Sequence, residues 1–180
     1  MARRIEGFVA VPITIALAIA FAGFLILFWF TPVGVPTLKR LGRGEVSPDL
    51  KFSYGPEETY GLLDVYGPAG VAHWRRLLML DMIFSGIYAA LFALLAWDWT
   101  NWVGAGPVWR AIAVGAPILA GASDYVENFL LLAVLRALPQ RIPGTVIIAS
   151  RFTRAKFIFS HLTLAVPLLH WGVARMGWPV

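Results

Sequence analysis

The chain has 180 residues, of which 59% are hydrophobic and 14% are charged, and its mean hydropathy is +0.72. Soluble domains carry about 25% charged residues, so this composition indicates an integral membrane protein. The chain contains no cysteine, which excludes disulfides, thiolate metal sites, iron–sulfur clusters and cysteine nucleophiles. We assign the net charge of +5 to residues that flank membrane spans and meet anionic lipid headgroups, and we expect no nucleic-acid binding.

Four segments are long and apolar enough to cross a bilayer, which requires about 20 residues: residues 8–30, 77–97, 108–135 and 157–173. The first contains Ala18-Ile19-Ala20, which resembles a signal-peptide cleavage site. Because the apolar run continues beyond it as FAGFLILFWF, we expect an uncleaved anchor. The pattern therefore predicts an all-α fold, in which residues 1–180 form a single transmembrane domain built as a four-helix bundle.

The first loop, residues 31–76, is polar and contains a helix signal. In SYGPEETYGLLDVYGPAG, Pro56 is followed by Glu57 and Glu58, which suit the first turn of a helix because the helix dipole favours anions there. Gly67 and Pro68 end the pattern. We predict a short helix that lies at the membrane interface.

Aromatic and basic residues predict the placement of the spans. Tryptophans collect at the predicted span ends, as expected at headgroup depth: Trp29, Trp74, Trp97, Trp99, Trp102, Trp109, Trp171 and Trp178. The side with both termini carries few basic residues: Arg3, Arg4, Arg110 and Arg175. The other side carries many more: Lys39, Arg40, Arg43, Lys51, Arg75, Arg76, Arg136, Arg141, Arg151, Arg154 and Lys156. We therefore predict a multi-pass protein of the cytoplasmic membrane with both termini outside and the long loops cytoplasmic, although Arg3 and Arg4 alone favour the opposite orientation.

The third span contains the polar stretch GASDYVENF. Asp124, Glu127 and Asn128 recur at helical spacing, so they share one face of the helix. A charge at membrane depth costs at least about 2.5–3.5 kcal/mol, so the two carboxylates must be paired, protonated or hydrated. We expect this face to point into the bundle and the carboxyl pair to hold a proton.

The second and fourth spans carry further polar residues. Asp81, Ser85 and Tyr88 form one stripe on the second span, and we interpret Ser85 mainly as helix packing. Lys156, Ser160, Thr163 and His170 follow helical spacing on the fourth span, with His161 on an adjoining face. Lys156 is either a counter-ion or a boundary residue whose amine reaches the membrane surface. Asp81, Glu127 and Lys156 fall on the same side of the membrane, which predicts one polar pocket.

This pattern predicts acid–base chemistry on a hydrophobic, lipid-like or isoprenoid-like molecule, by an isomerase or cyclase. We expect four catalytic residues: Asp81, Asp124, Glu127 and Asn128. We expect four residues to contact the substrate: Tyr88, Tyr125, Lys156 and His161. Two other functions fit the same residues: binding or transport of an amine or cation, and a structural role in which the acids hold helices together. A transporter of this size requires a homodimer, because four spans contain no inverted repeat.

Other site classes lack sequence support. No metal-ligand spacing such as His-x-x-x-His is present, so we predict no metal site. No Gly-x-Ser-x-Gly motif, P-loop or dinucleotide fingerprint is present. The sequence does not specify a cofactor, although its aromatic residues would accommodate a quinone, a retinal or a carotenoid.

Several motifs together resemble those of a widespread family of small four-span bacterial membrane proteins with no assigned function. The motifs are YGPEETYGLLDVYGPAG, LDMIFSGIYAALF, ASDYVENFLLL, Pro139 and SRFTRAKF, within about residues 52–170. The positions that match the family pattern are Glu57, Tyr60, Gly67, Asp81, Tyr88, Asp124, Glu127, Asn128 and Lys156. Ser85 stands where the family commonly has a proline.

A looser similarity, in architecture alone, is to the four-span emopamil-binding and sigma-two receptor-like proteins. That similarity implies four helices around an interior pocket with acids, an asparagine and aromatic walls. In those proteins such residues serve sterol isomerisation or amine binding. Architecture does not carry function by itself.

Overall fold

The computed structural model describes the backbone of residues 2–175 and the side chains of residues 11–173 and 175. Over these residues the protein is helical, with one 3₁₀ turn at Pro48–Leu50 and no strand. The α-helices are α1 (Ala2–Phe30), α2 (Val35–Leu41), α3 (Pro56–Trp102), α4 (Pro107–Ala137) and α5 (Pro143–Arg175). The predicted all-α class is confirmed, while the side chains of Arg3, Arg4 and Trp178 lie outside the described residues.

Three helical stretches are long and apolar enough to cross a membrane: Val11–Leu41, Pro56–Trp102 and Pro107–Ala137. They cover the second and third predicted spans and, over residues 11–30, the first. The fourth predicted span, residues 157–173, lies in α5, which is not among these three over its described residues.

The predicted interfacial helix and the second span are two arms of α3. Gly67 separates them with a φ of 58°, a left-handed conformation that favours glycine. Pro68 follows and has no backbone N–H to donate, so a regular helix cannot pass through this point unbroken. The chain therefore bends at Gly67 and continues as helix, where the sequence pattern placed a loop up to residue 76.

α5 begins at Pro143, well before the predicted span start at residue 157. The span was predicted from an unbroken run of apolar residues, and Arg151, Arg154 and Lys156 break that run. These side chains do not interrupt the helix, because Lys and Arg have good helix propensity. Lys156 consequently lies in the interior of a long helix.

α4 is the interior helix of the fold. It packs against α3 on one side and α5 on the other, whereas α1 packs against α3. In the most apolar 18 residues of each membrane-compatible stretch, the buried fraction is 56% for α4, 22% for α3 and 6% for the stretch that begins in α1. Asp124, Glu127 and Asn128 of α4 face protein, which is where such residues find partners.

The main hydrophobic core lies at the end of the helices next to the first and third loops. Its buried residues come from α2, from both arms of α3, from the end of α4 and from the start of α5, and they include Leu38, Tyr60, Leu78, Leu135 and Val146. Trp74 belongs to this core and is only 1% exposed. Its predicted place in an interfacial aromatic belt is therefore wrong, because its indole instead donates a hydrogen bond to Asp49 inside the protein.

Gly121 allows α3 and α4 to approach closely beside the polar residues. A Cβ at this position would lie 2.6 Å from Cβ of Ala89 and 3.0 Å from the carbonyl oxygen of Ser85. We expect Gly121→Ala to lower the free energy of unfolding by about 1–3 kcal/mol, because the two helices must separate. Denaturation in detergent measures the change.

Gly115→Ala is the matched control. It makes the same substitution on the same helix, where a Cβ would meet no atom within 4 Å. We expect it to leave stability unchanged or to raise it through helix propensity. Equal losses in the two variants would contradict a close α3–α4 contact at Gly121.

Candidate functional site

The amine of Lys156 on α5 lies between two carboxylates of α4. Its Nζ is 3.0 Å from Asp124 Oδ1 and 2.6 Å from Glu127 Oε2. The three side chains are 14%, 4% and 0% exposed respectively. Nζ also donates to the carbonyl oxygen of Asp49 at 3.2 Å, so three oxygen atoms surround an ammonium that has three hydrogens to donate. Lys156 is therefore a buried counter-ion, which decides between the two sequence interpretations.

Asp124 receives further hydrogen bonds from α3. The hydroxyl of Tyr88 donates to Asp124 Oδ2 at 3.0 Å. The hydroxyl of Ser85 lies 2.9 Å from the same oxygen and 2.7 Å from the carbonyl oxygen of Asp81, so it shares its single proton between them. Asp124 thus links α3, α4 and α5, and donors surround both of its oxygens.

Glu127 is held deeper in the protein. Thr153 donates to Glu127 Oε1 at 2.5 Å, and the hydroxyl of Tyr54 lies 3.3 Å from the same oxygen. The backbone N–H of Tyr54 in turn donates to Ser150 on α5 at 3.1 Å. Glu127 therefore fastens α4 to both α5 and the segment before α3, and it lies behind the cavity described below.

Asn128 connects the cluster to Asp81. Its Nδ2 donates to Asp81 Oδ2 at 2.8 Å. Asn128 is 0% exposed, and its Oδ1 has no hydrogen-bond partner among the described residues. Asp81 is more exposed than Asn128. The Nδ2 of Asn128 is the one side-chain donor that the structure gives to the Asp81 carboxyl. Among the carboxyls of this cluster on α3 and α4, Asp81 thus has fewer donors than Asp124 or Glu127.

Asp49, in the 3₁₀ turn, completes the cluster. Its Oδ1 accepts a hydrogen bond from the indole of Trp74 at 3.0 Å. Burial raises the pKa of the Asp49 carboxyl above its ordinary value, although the ammonium of Lys156 opposes the shift. An ionised Asp49 therefore lowers the stability of the fold.

A cavity of about 360 Å³ opens beside these groups. Asp49, Asp81, Asp124 and Lys156 line its polar end. Aromatic and aliphatic side chains line the remainder, contributed by α1, α2, α3, α5 and the 3₁₀ turn, and they include Phe28, Val35, Phe84, Phe157 and Leu164. The site combines a mostly apolar wall with a few convergent polar groups, as small-molecule sites do.

Carboxyls outnumber cations in the cluster. Asp49, Asp81, Asp124 and Glu127 face the single ammonium of Lys156. Burying several like charges in a low-dielectric interior is unfavourable unless protons or cations compensate them. Among the described residues, no group of three or more His, Asp or Glu side chains is arranged to hold a metal ion. The arrangement therefore suits a carboxyl that holds a proton, or a ligand that brings a positive charge.

The structure brings together six of the eight predicted site residues through direct contacts: Asp81, Tyr88, Asp124, Glu127, Asn128 and Lys156. His161 lines the cavity with an exposed side chain, and its Nδ1 lies 2.6 Å from the carbonyl oxygen of Phe157. Tyr125 is 47% exposed and does not line the cavity. Its Cα is rotated by about 100° from that of Asp124, which turns its side chain away from the cluster.

Sequence reasoning missed Asp49, Tyr54 and Thr153. Asp49 and Tyr54 lie in the first loop, where no periodicity predicts which side chains turn inward. Thr153 precedes the predicted fourth span, although it is three residues before Lys156 and so shares its helix face. The three-residue spacing from Lys156 could have identified Thr153 from the sequence. It was missed because the fourth helix was predicted to begin at residue 157, whereas α5 begins at Pro143.

Comparison of the chain with protein-family models, curated proteins and solved structures found no match in any of the three. The resemblances to four-span bacterial proteins and to emopamil-binding proteins therefore stay expectations. Function is inferred from the residues of this chain.

We expect Lys156→Met to destabilise the protein by about 3–5 kcal/mol, because it leaves Asp124 and Glu127 buried without their cation. Adding Glu127→Gln to this variant is expected to restore part of the loss, since one buried charge is then removed. Thermal unfolding of the two single variants and the double variant, analysed as a double-mutant cycle, measures the coupling. Losses that simply add would contradict a direct Lys156–Glu127 ion pair.

We expect Asp49→Asn to stabilise the protein at neutral pH. The folded state holds the Asp49 proton more tightly than the unfolded chain, so stability falls as pH rises from 3.8, the ordinary value, through the raised folded-state pKa. The amide keeps an acceptor for Trp74 and removes the charge, so its advantage is present at neutral pH and disappears as pH falls to about 3.8.

Melting temperatures from acid to neutral pH test this expectation. Glu57→Gln, on an exposed side chain, is the charge-matched control and is expected to show no such pH-dependent gain. A lower stability of Asp49→Asn at neutral pH would mean that attraction to Lys156 outweighs the effect of burial.

Proposed function

We propose that this protein is an integral membrane protein of the cytoplasmic membrane, whose four long helices form a bundle around an acidic pocket. Large apolar side chains on the outer helix faces support this proposal, because water would not solvate them: Ile19, Ile83, Ile118 and Leu168 are all between 50% and 71% exposed. In this arrangement both termini lie outside and the long loops are cytoplasmic.

We propose further that the pocket is the active site of an enzyme that performs acid–base chemistry on a lipid-like molecule. The observation that carries this proposal is the convergence of Asp49, Asp81 and Asp124, with Lys156, at one end of a mostly apolar cavity. An apolar wall suits a hydrocarbon substrate, and paired carboxyls suit proton transfer to and from carbon. The reaction class is an isomerisation or cyclisation.

The hydrogen bonds favour different roles for the carboxyls. Asp124 and Glu127 each have several donors around them, including the ammonium of Lys156, so both are held by ion pairs and hydrogen bonds. Asp81 has one side-chain donor, Asn128. A proton on Asp81 would also give the unpartnered Oδ1 of Asn128 a donor. We therefore assign Asp81 as the general acid and Asn128 as the residue that positions it.

The proposed reaction conserves atoms. Asp81 donates a proton to one carbon of a substrate double bond, and a carboxylate that faces the same cavity, Asp49 or Asp124, accepts a proton from a neighbouring carbon. The double bond moves or a ring closes, and the mass of the substrate is unchanged. Proton return between the carboxyls restores the starting state.

Binding of an amine or cation is the second candidate function. The excess of carboxyls over the single ammonium favours it, because a bound cation would compensate the buried negative charge. In that case the carboxyls hold the ligand and transfer no proton. The two candidate functions predict different effects of Asp81→Asn, which removes both the charge and the transferable proton: the enzyme loses conversion, and the binding protein loses its ligand.

We expect Asp81→Asn to abolish conversion and to retain the bound molecule. Wild-type protein in lipid nanodiscs is incubated with a lipid extract, and mass spectrometry follows products of unchanged mass and altered retention time. For the variant we expect a loss of about 100-fold to 10,000-fold in rate, the usual contribution of a general acid. Mass spectrometry of co-purifying molecules measures binding separately.

Asp98→Asn is the matched control, because Asp98 is an exposed carboxyl on the same helix. We expect it to convert substrate at the wild-type rate. A molecule that co-purifies with wild type, is never converted and is lost in Asp81→Asn would favour the binding function. Empty spectra for both proteins, with a less stable variant, would favour a purely structural cluster.

A further inference from the structure

A second cavity, of about 140 Å³, continues the large one between the helices. Tyr88, Ser160 and Leu164 line both cavities, so the two spaces share a wall. The other lining residues of the small cavity come from α3, α4 and α5: Phe92, Pro117, Ala120 and Thr163.

The small cavity lies further from the charged groups along every helix that lines it. On α3, Phe92 is 11 residues beyond Asp81, and on α4, Pro117 is seven residues before Asp124. At about 1.5 Å per residue these separations are roughly 16 Å and 10 Å. The two cavities therefore extend along the bundle from a charged end to an uncharged end.

The wall of the small cavity is almost entirely apolar. The hydroxyl of Thr163 donates to the carbonyl oxygen of Phe159 at 2.9 Å, and the hydroxyl of Tyr88 donates to Asp124. Two of the three hydroxyl groups that line this cavity thus use their protons within the protein, and the third is that of Ser160. An apolar cavity of about 150 Å³ holds a benzene-sized group, so this one admits the end of a hydrocarbon chain but not a fused ring system.

We propose that the two cavities form one binding site for a linear amphipath, whose polar end lies at Asp81 and whose unbranched tail passes Tyr88 into the small cavity. This inference rests on the proposed function, because it takes the polar end of the ligand from that site. Tyr88 connects the two parts, since its hydroxyl binds Asp124 while its ring lines both cavities.

Ala120 and Thr163 then determine tail length. Ala120 is 1% exposed, and Thr163 is partly exposed, so a larger side chain at Thr163 fills the cavity with less overpacking of the helices. Each methylene group that is excluded from the cavity weakens binding by about fourfold.

The test uses n-alkylamines from hexylamine to hexadecylamine as probes, because an ammonium complements the carboxyl-rich end. Binding to full-length protein in nanodiscs is measured by the shift in melting temperature as a function of amine concentration. In wild type we expect affinity to rise with chain length and then to reach a plateau. In Thr163→Phe we expect the plateau at a shorter chain, with about tenfold weaker binding of dodecylamine and unchanged binding of hexylamine.

Leu168→Phe is the matched control, because Leu168 lies on the same helix and is 71% exposed. It corrects for partition of the amines into the lipid and is expected to keep the wild-type profile. Ala120→Val provides a second, smaller filling substitution should Thr163→Phe fail to fold, with the same direction of change expected.

Two results would overturn the tail site. If amines bind wild type but both filling variants keep the wild-type length profile, the polar site stands and the tail site is wrong. If no amine raises the melting temperature of wild type, the polar site and the tail site both fail. The two failures are therefore distinguishable in one data set.

Discussion

The structure depends on one buried ammonium, that of Lys156, which lies 3.0 Å from Asp124 and 2.6 Å from Glu127. Removing an ion from water is unfavourable by several kcal/mol, so neither partner is stable in the interior without the other. The polar face of α4 can therefore be buried only where α5 supplies the amine. This requirement sets the register of α5 against α4. It also explains why α4, which has the lowest hydropathy of the three membrane-compatible stretches, is the interior helix.

Other elements converge on the same amine. The carbonyl oxygen of Asp49 accepts a hydrogen bond from Lys156, and the carboxyl of Asp49 accepts one from Trp74 on α3. The first loop is thereby fastened over the polar end of the bundle, between α3 and α5. The left-handed Gly67 lets the first arm of α3 bend away, so that the loop-side core packs around Trp74. The indole of Trp74 therefore connects the hydrophobic core, in which it is buried, to the polar cluster, where it donates to Asp49.

The proposed function and the stability of the fold make opposite demands on this cluster. A purely structural site would satisfy every buried polar atom, yet Asp81 has a single side-chain donor and Asn128 Oδ1 has no partner among the described residues. Burial raises the pKa of Asp49 and so disfavours its ionised form. Asp49 and Asp81 both line a cavity whose wall is largely apolar. In the proposed function these carboxyls change protonation during the reaction, so incomplete pairing is expected of them.

Sequence by itself determined the helical class and the polar faces of Asp124, Glu127, Asn128 and Asp81, because hydropathy and helical spacing are local properties of the chain. It predicted four spans, of which three coincide with helical stretches that are long and apolar enough to cross a membrane. It located Lys156 without deciding its role, since an amine near a span end either reaches the surface or pairs inside. Tertiary structure alone decided that role, the inward turn of Asp49 and Tyr54 and the outward turn of Tyr125. Ion pairs and cavities form between helices whose relative rotation and register arise from packing, and packing is not encoded in any single segment.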